Sequence, residues 1–168
     1  MSVIRMQRDL SFAALVTSRW KMAFYMLSKL PLALIARLRV EHFDDEGASV
    51  SVPFNYINKN PFGSVYFAPL SMAAELSSGL LALEAVKNAA KPVSMLVLEM
   101  QAEYLKKARS RIVFTCHERS AISEAVQQAI LTNEATTFLS RVEGRDEQGE
   151  LVARFFINWT FKTKSVIK

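Results

Sequence analysis

Apolar positions in the segment 9–30 recur at steps of three and four residues, the spacing of one face of an amphipathic helix. Polar and basic residues occupy the rest of the helical wheel, and Pro31 is expected to end the helix. The apolar row consists of Phe12, Val16, Trp20, Ala23, Leu27 and Leu30. Two interpretations stay open: a helix that packs on the main domain or on a partner subunit, and a basic helix on a membrane surface.

Two strands joined by a tight turn are predicted next. The first covers about 36–43, and the polar residues 44–47 form the turn. The second strand has one apolar face, made of Val50, Val52, Phe54 and Tyr56. A loop over 58–63 then leads into the most apolar part of the chain.

A long helix is predicted over 67–88, with Pro69 tolerated in its first turn. It is apolar nearly all round, so it is expected to be buried on most sides. Its polar residues cluster near the middle, where Ser71 and Ser78 share a face with Glu75. Burying an ionised carboxylate costs several kcal/mol or more without a partner. Glu75 therefore has either a structural partner, such as Ser71, Ser78 or a group of a second chain, or a chemical role.

The rest of the chain predicts four strands and one short helix. The strands lie at 93–105, 109–117, 134–145 and 150–163, and the helix lies at 121–132. In the first of these strands the apolar face consists of Leu96, Leu98, Met100, Ala102 and Tyr104. In the last strand it consists of Leu151, Ala153, Phe155, Ile157, Trp159 and Phe161. Short connections favour an antiparallel sheet, and one apolar sheet face against one apolar helix is an α+β arrangement.

The amino-acid composition indicates a single domain and limits which metal and disulfide sites the chain can form. A length of 168 residues with 51% hydrophobic residues fits a single domain over 1–168. The one cysteine, Cys116, excludes an internal disulfide and is expected to be a buried thiol, and the two histidines, His42 and His117, are far apart. No metal site and no cofactor are therefore expected, and a reducing cytoplasm is the default compartment.

The net charge of +5 gives only modest attraction for anions, and nothing matches a nucleic-acid-binding motif. Charged residues interrupt the N-terminus before a secretory signal forms, and no apolar run reaches the ~20 residues of a spanning helix. The sequence predicts a soluble protein without a nucleic-acid partner or a transmembrane segment.

The junction between the loop and the long helix carries a spaced motif. Asn60 is followed by Gly63 three residues later, by Tyr66-Phe67-Ala68 from the sixth residue, and by Glu75 at the fifteenth. These offsets resemble the hot-dog-fold thioesterases, especially those of the phenylacetic-acid-pathway type. There the motif has Asn, Gly, His-Gly-Gly and Asp. The resemblance covers about 33–163, and the N-terminal helix and the 121–132 insertion look like an uncharacterised, domain-of-unknown-function branch.

The resemblance implies a hot-dog fold, an antiparallel sheet wrapped around a long central helix, here with an extra N-terminal helix over 9–30. It also implies a homodimer or a dimer of dimers, because the family's site lies between two protomers. The implied function is hydrolysis of an acyl thioester such as an acyl-CoA.

The resemblance assigns roles to particular residues. The backbone N–H groups of Phe67 and Ala68, with Gly63 in the loop before them, would form the oxyanion site. Glu75 would act as general base or nucleophile, and Asn60 would hold the attacking water or the loop. The substrate-binding residues would be Tyr66, Ser71 and Ser78.

Tyr66-Phe67-Ala68 departs from His-Gly-Gly, and Glu75 is longer than the Asp of the family. A non-catalytic protein that binds fatty-acyl groups or other lipids is the alternative function, with Phe67 blocking productive approach. A hydratase is disfavoured because no histidine lies in this loop or helix. Asn60 also fits a plain turn residue. A basic cluster near 106–111 fits either the phosphates of coenzyme A or a solvated surface.

Overall fold

The computed structural model describes residues 10–164. Helices and strands alternate irregularly along this part of the chain, as the sequence pattern predicts. The helices are α1 (Leu10–Thr17), α2 (Arg19–Lys29), α3 (Pro31–Ile35), α4 (Phe67–Lys87) and α5 (Arg119–Thr132). The strands are β1 (Arg39–Phe43), β2 (Ala48–Val52), β3 (Val93–Tyr104), β4 (Ile112–Cys116), β5 (Thr136–Arg145) and β6 (Leu151–Thr163).

The six strands form one antiparallel sheet in the order β1-β2-β4-β5-β6-β3. β1 and β3 are therefore the two edges. The alternation predicted for β6 holds from Ala153 to Phe161, where Phe155, Ile157, Trp159 and Phe161 are buried and the residues that alternate with them are partly or fully exposed. At the start of the strand it does not hold, because Val152 is buried and Leu151 is only partly buried. A single apolar sheet face of this kind needs a covering layer.

The covering layer is α4, whose 21 residues include thirteen that are buried. Leu80 and Leu81 are almost completely buried between the sheet and α5, and each such side chain contributes about 1.5–3 kcal/mol of transfer free energy. Burial on nearly all sides explains why this helix has no polar face. The predicted α+β architecture, a sheet wrapped around one long helix, is the one observed.

The N-terminal segment differs from the single helix predicted over 9–30. Ser18 has extended backbone dihedrals (φ −84°, ψ 113°) and separates α1 from α2. Pro31 begins α3, because proline is tolerated in the first turn of a helix. The break changes which face of α2 points inward, so that Met22 and Met26 are buried, whereas Trp20 is exposed.

Two strand predictions also change in detail. β2 ends at Val52, since Pro53 has no N–H to donate, and Phe54 and Tyr56 lie exposed in the loop. In β3 the register shifts between Val97 and Glu99. Before the shift Met95 and Val97 pack on the core, so the predicted position of Leu96 is wrong, and Leu96 and Leu98 are exposed. After the shift Met100, Ala102 and Tyr104 lie opposite Ile157, Phe155 and Ala153 on the core face, as predicted, although Met100 and Tyr104 are exposed at the edge of the sheet. No helix within residues 10–164 is long and apolar enough to cross a membrane.

Candidate active site

The loop before α4 is held by the side chain of Asn60. Its Oδ1 accepts hydrogen bonds from the backbone N–H groups of Phe62 (3.0 Å) and Ser64 (3.2 Å). Its Nδ2 donates to the Ser64 hydroxyl at 3.1 Å. Gly63 lies between these residues with φ +74°, a left-handed conformation that favours glycine. The polar atoms of the Asn60 side chain are thus engaged in shaping the loop.

Asn58 anchors the same loop and was missed by the sequence reasoning. Its side chain is buried and donates to the backbone carbonyls of Ala36 (2.8 Å) and Pro53 (3.0 Å). The backbone carbonyl of Asn58 accepts a hydrogen bond from the N–H of Tyr66 at 2.6 Å. An asparagine in a polar loop gives no sequence signal that separates this role from an ordinary turn.

The first turn of α4 presents two free backbone donors. Phe67 and Ala68 are its first two residues, and Pro69, the third, has no N–H. First-turn N–H groups lack partners within the helix, and no other described residue accepts a hydrogen bond from Phe67 or Ala68. The positive end of the helix dipole adds to their attraction for a developing negative charge.

Two aromatic side chains flank these donors. Tyr66 and Phe67 pack edge to face with ring centroids 4.6 Å apart, and both are about half exposed. The Phe67 ring therefore lies at the protein surface in the single chain rather than in the core. A ligand that reached the two N–H groups would meet this aromatic pair.

Glu75 is half-buried on α4, and burial raises the pKa of its carboxyl above the ordinary value of 4.5. Ser71 and Ser78, the predicted partners of Glu75, donate hydrogen bonds to backbone carbonyls instead. The Ser71 hydroxyl donates to the carbonyl of Phe67 (3.0 Å), and the Ser78 hydroxyl donates to the backbone carbonyl of Glu75 (3.2 Å). Within residues 10–164 the Glu75 carboxylate has no hydrogen bond or ion pair.

The wall beside Glu75 is formed by Gly79 and Trp159. A Cβ placed at Gly79 would lie 3.2 Å from Oε1 of Glu75 and 3.4 Å from the Trp159 ring, so the carboxylate and the indole converge on this glycine. The Trp159 Nε1 donates to Ser78 Oγ at 3.1 Å, which fixes the ring. An apolar wall of this kind disfavours the ionised form and accounts for the raised pKa.

The structure brings Asn60, Gly63, Phe67 and Ala68 together at the start of α4, but it does not bring Glu75 to them. Glu75 is eight residues further along the same helix, about 12 Å at 1.5 Å per residue. This separation exceeds the reach of one side chain. The two halves of the candidate site are therefore apart within a single chain.

A second acid in α4, Glu84, was overlooked in the sequence. It is buried and forms an ion pair with Arg119 at the start of α5, whose guanidinium also lies 4.6 Å from the Phe43 ring centroid. The sequence feature that could have identified Glu84 is its position as a charged residue within an apolar helix. The pair connects α4, α5 and β1, so its role is structural.

Other polar candidates have structural partners. Cys116 is a buried free thiol, as expected, and burial raises its pKa. In the predicted basic cluster, Lys106 pairs with Glu150 (2.5 Å) and Arg111 with Glu41 (3.2 Å). No group of three His, Cys, Asp or Glu side chains in the described part of the chain is arranged to hold a metal ion.

Solved structures with the same fold include several thioesterases. A protein of unknown function from Pseudomonas aeruginosa, described as a probable thioesterase, is 19% identical, with a TM-score of 0.72 over 88% of this chain and 97% of that one. A thioesterase from Haemophilus influenzae is 13% identical, with a TM-score of 0.60 over 83% and 88%. A protein of unknown function from Chlorobaculum tepidum is 12% identical, with a TM-score of 0.73 over 90% and 99%. No curated protein sequence gives a significant match.

At these identities the likeness establishes a shared fold, the hot-dog fold that the spaced motif implies. A family match settles the classification. Residues 18–161, most of the chain, match a domain of unknown function named DUF4442. The chain therefore belongs to the DUF4442 family and has the hot-dog fold found in thioesterases.

Proposed function

We propose that this protein is an acyl-thioester hydrolase, with an acyl-CoA or a similar thioester as substrate. The observation that carries the proposal is the state of Glu75: a half-buried carboxyl against Trp159, with a raised pKa and no partner among the described residues. A carboxyl whose pKa is raised toward neutrality is better matched to proton transfer than an ordinary surface acid. The thioesterase fold of the structural neighbours fits this chemistry.

In the proposed reaction the thioester carbonyl oxygen accepts hydrogen bonds from the N–H groups of Phe67 and Ala68. As general base, Glu75 takes a proton from a water whose oxygen bonds to the carbonyl carbon, the C–S bond breaks, and the leaving thiolate takes up that proton. As nucleophile, Glu75 bonds to the carbonyl carbon while the thiolate leaves, and a water then hydrolyses the resulting anhydride to the free acid. Asn60 and Gly63 shape the loop that places the two donors. Ser71 lies one turn into the helix beside the donors, and Ser78 holds the Trp159 wall.

The proposal requires a homodimer, because the donors and Glu75 are about 12 Å apart on one helix. The free edge of β3 is the surface that supports it. This strand is twelve residues long, has a neighbour on one side only, and exposes Leu96, Leu98 and Met100. A long apolar edge is a template for pairing with another chain. Two copies joined there, or a dimer of such dimers, would bring Glu75 of one protomer toward the loop of the other.

The proposal treats residues 1–168 as one hot-dog domain, with 9–30 as a helical extension and 33–163 as the core. It also places the protein in the cytoplasm, where a free thiol such as Cys116 stays reduced.

The test is Glu75→Gln, assayed on short-, medium- and long-chain acyl-CoAs. A loss of at least about 100-fold in kcat is expected, because general base catalysis contributes 10²–10⁴-fold. Glu124→Gln is the matched control, since Glu124 is exposed on α5 and should keep full activity. Turnover by Glu75→Gln equal to that of the parent protein would contradict the proposal.

Non-catalytic binding of a fatty-acyl group or another lipid is a second candidate, supported by the Tyr66–Phe67 pair that flanks the donors. Bulky rings at this point leave less clearance for a thioester than glycine would. Native mass spectrometry of the purified protein distinguishes the two functions. A retained lipid together with no hydrolysis of any acyl-CoA supports binding, and turnover that depends on Glu75 excludes it.

A further inference from the structure

The positive charge of this protein is concentrated at its N-terminal end. The segment 10–40 contains five basic residues and no acidic residue, a charge equal to the +5 of the whole chain. The basic residues are Arg19, Lys21, Lys29, Arg37 and Arg39. All five are exposed, and none forms a salt bridge with a residue in the described range 10–164. This surface therefore attracts anions while the rest of the molecule is close to neutral.

The same segment exposes large apolar side chains. Trp20, Phe24 and Leu27 follow one another at helical spacing along α2 and are 80%, 70% and 60% exposed. Leu32 (68%) and Ile35 (56%) continue the exposed apolar surface onto α3. The opposite face of α2 already supplies the core contact, through the side chains of Met22 and Met26. The exposed row is therefore not needed for folding of the domain.

A cavity of about 750 Å³ lies beside α2, between the N-terminal helices and β1. Its lining combines apolar residues, among them Met26 and Leu38, with Arg19, Arg37 and Arg39. The ion pair of Arg111 and Glu41 also lines it, and this pair leaves the three other arginines as the excess positive charge. Guanidinium groups bind phosphate oxygens in a forked geometry. This mixture matches the interfacial part of a phospholipid, where a phosphate lies above acyl chains.

We propose that α2 and α3 dock this protein on the surface of an anionic phospholipid bilayer. Trp20, Phe24 and Leu27 enter the boundary between head groups and acyl chains, and Lys21 and Lys29 extend to the head groups. Tryptophan favours this boundary because its ring is apolar and its N–H is polar. The helices lie on the bilayer and do not cross it.

A second copy of the chain is the competing occupant of this surface. Two copies in contact here would bring together two segments that contain only basic charges, and like charges repel. An anionic bilayer neutralises them. The proposal does not depend on Glu75 or on the hydrolase proposal, because none of its residues belongs to the candidate active site.

The test is flotation of the full chain with vesicles of phosphatidylcholine alone, or of equal parts phosphatidylcholine and phosphatidylglycerol. Binding to the anionic vesicles is expected at low salt and is expected to weaken as salt screens the charges. Trp20 gives a second readout. Its emission should shift to the blue on binding, whereas Trp159, already buried, should not contribute. The shift should disappear in Trp20→Phe.

Two variants separate charge from apolar contact. Lys21→Glu with Lys29→Glu is expected to weaken vesicle binding at least about tenfold, and Phe24→Ser with Leu27→Ser at least as much. The matched controls are Lys91→Glu with Lys107→Glu, and Leu131→Ser, which alter exposed residues elsewhere. Circular dichroism and Tm check that each variant is folded.

No binding of the parent protein to anionic vesicles at low salt would overturn the proposal. Equal loss of binding in the control variants would overturn it as well. If Phe24→Ser with Leu27→Ser instead lowers the molar mass in light scattering and vesicle binding is absent, the surface is an interface between copies.

Discussion

At the scale of single residues, the ionisation of Glu75 is coupled to folding. Its folded-state pKa is raised above 4.5 by burial, so the folded protein holds this proton more tightly than the unfolded chain. Stability linked to Glu75 is therefore fully present below pH 4.5. This contribution decreases as the pH rises from 4.5 to the folded-state pKa of Glu75. Above that pKa, the stability no longer changes with the ionisation of Glu75.

We expect Glu75→Gln to be more stable than the parent at neutral pH, by about 1 kcal/mol, because a neutral amide replaces a half-buried charge. The gain should shrink as the pH falls toward 4.5. Urea unfolding of both proteins between pH 4 and 8 measures this difference. A variant less stable than the parent at pH 7 would mean that the carboxylate has a stabilising partner.

Ser78 and Ser77 are neighbouring, fully buried serines that allow a matched comparison. Ser78 accepts the Nε1 hydrogen bond of buried Trp159, whereas Ser77 only donates to the carbonyl of Ala74 within its own helix. Ser78→Ala leaves the indole N–H unsatisfied, which costs about 1–3 kcal/mol. Ser77→Ala should change stability by less than about 0.5 kcal/mol, because it removes only a local bond. Equal effects in chemical unfolding would contradict the assigned role of Ser78.

At the scale of elements, the packing of α4 on α5 depends on an ion pair as well as on apolar contacts. Arg119 is mostly buried where it meets Glu84, so the pair is sheltered from water. Removing one member of such a pair leaves a buried charge uncompensated. The apolar contacts between α4 and α5 are not expected to offset the cost of that unpaired buried charge.

We expect Arg119→Met to destabilise the fold by about 3–5 kcal/mol. Arg154→Met is the control, because its bonds to Glu103 and Glu143 lie nearer the surface and should cost about 0–1 kcal/mol. Thermal unfolding at neutral pH checks both values. If Arg119→Met with Glu84→Leu recovers the parent stability, the loss came from the stranded carboxylate. If the double variant is no more stable than Arg119→Met, the loss of stability comes from other contacts of Arg119.

Elements also show where sequence patterns reach their limit. The apolar period of α1 and α2 predicts helix correctly, yet it does not reveal that Ser18 interrupts it. One extended residue rotates everything that follows, which is why Trp20 is outside and Met22 inside. The register shift in β3 has a similar effect, because Val97 before it and Met100 after it lie on the same face, which strict alternation does not predict. Periodicity gives the type of element, and tertiary packing selects its inward face.

At the scale of the whole molecule, the free edge of β3 and the distance between the two halves of the site lead to one expectation. We expect Leu98→Lys to convert a dimer into a monomer, because a charge on an apolar edge opposes strand pairing. Leu139→Lys is the control, since Leu139 is similarly exposed but belongs to β5, an inner strand. Light scattering after size-exclusion chromatography measures the molar mass.

Hydrolysis should fall together with the dimer in Leu98→Lys and stay intact in Leu139→Lys. A monomeric parent protein, or full hydrolase activity in a monomeric variant, would contradict a site shared between protomers.

The sequence by itself determined the order of the elements after the N-terminal segment, the buried central helix and the α+β class, because these follow from local periodicity and turn chemistry. Because the spacing of Asn60, Gly63 and Glu75 resembles a motif of the hot-dog-fold thioesterases, it also led to the hot-dog fold. The tertiary structure alone decided what those side chains touch. It showed Asn60 shaping its own loop, Glu75 against Trp159 without the predicted serines, and an apolar row exposed on α2. The approach of Glu75 and Trp159 to Gly79 and the inward face of α2 depend on elements distant along the chain, and no local pattern specifies them.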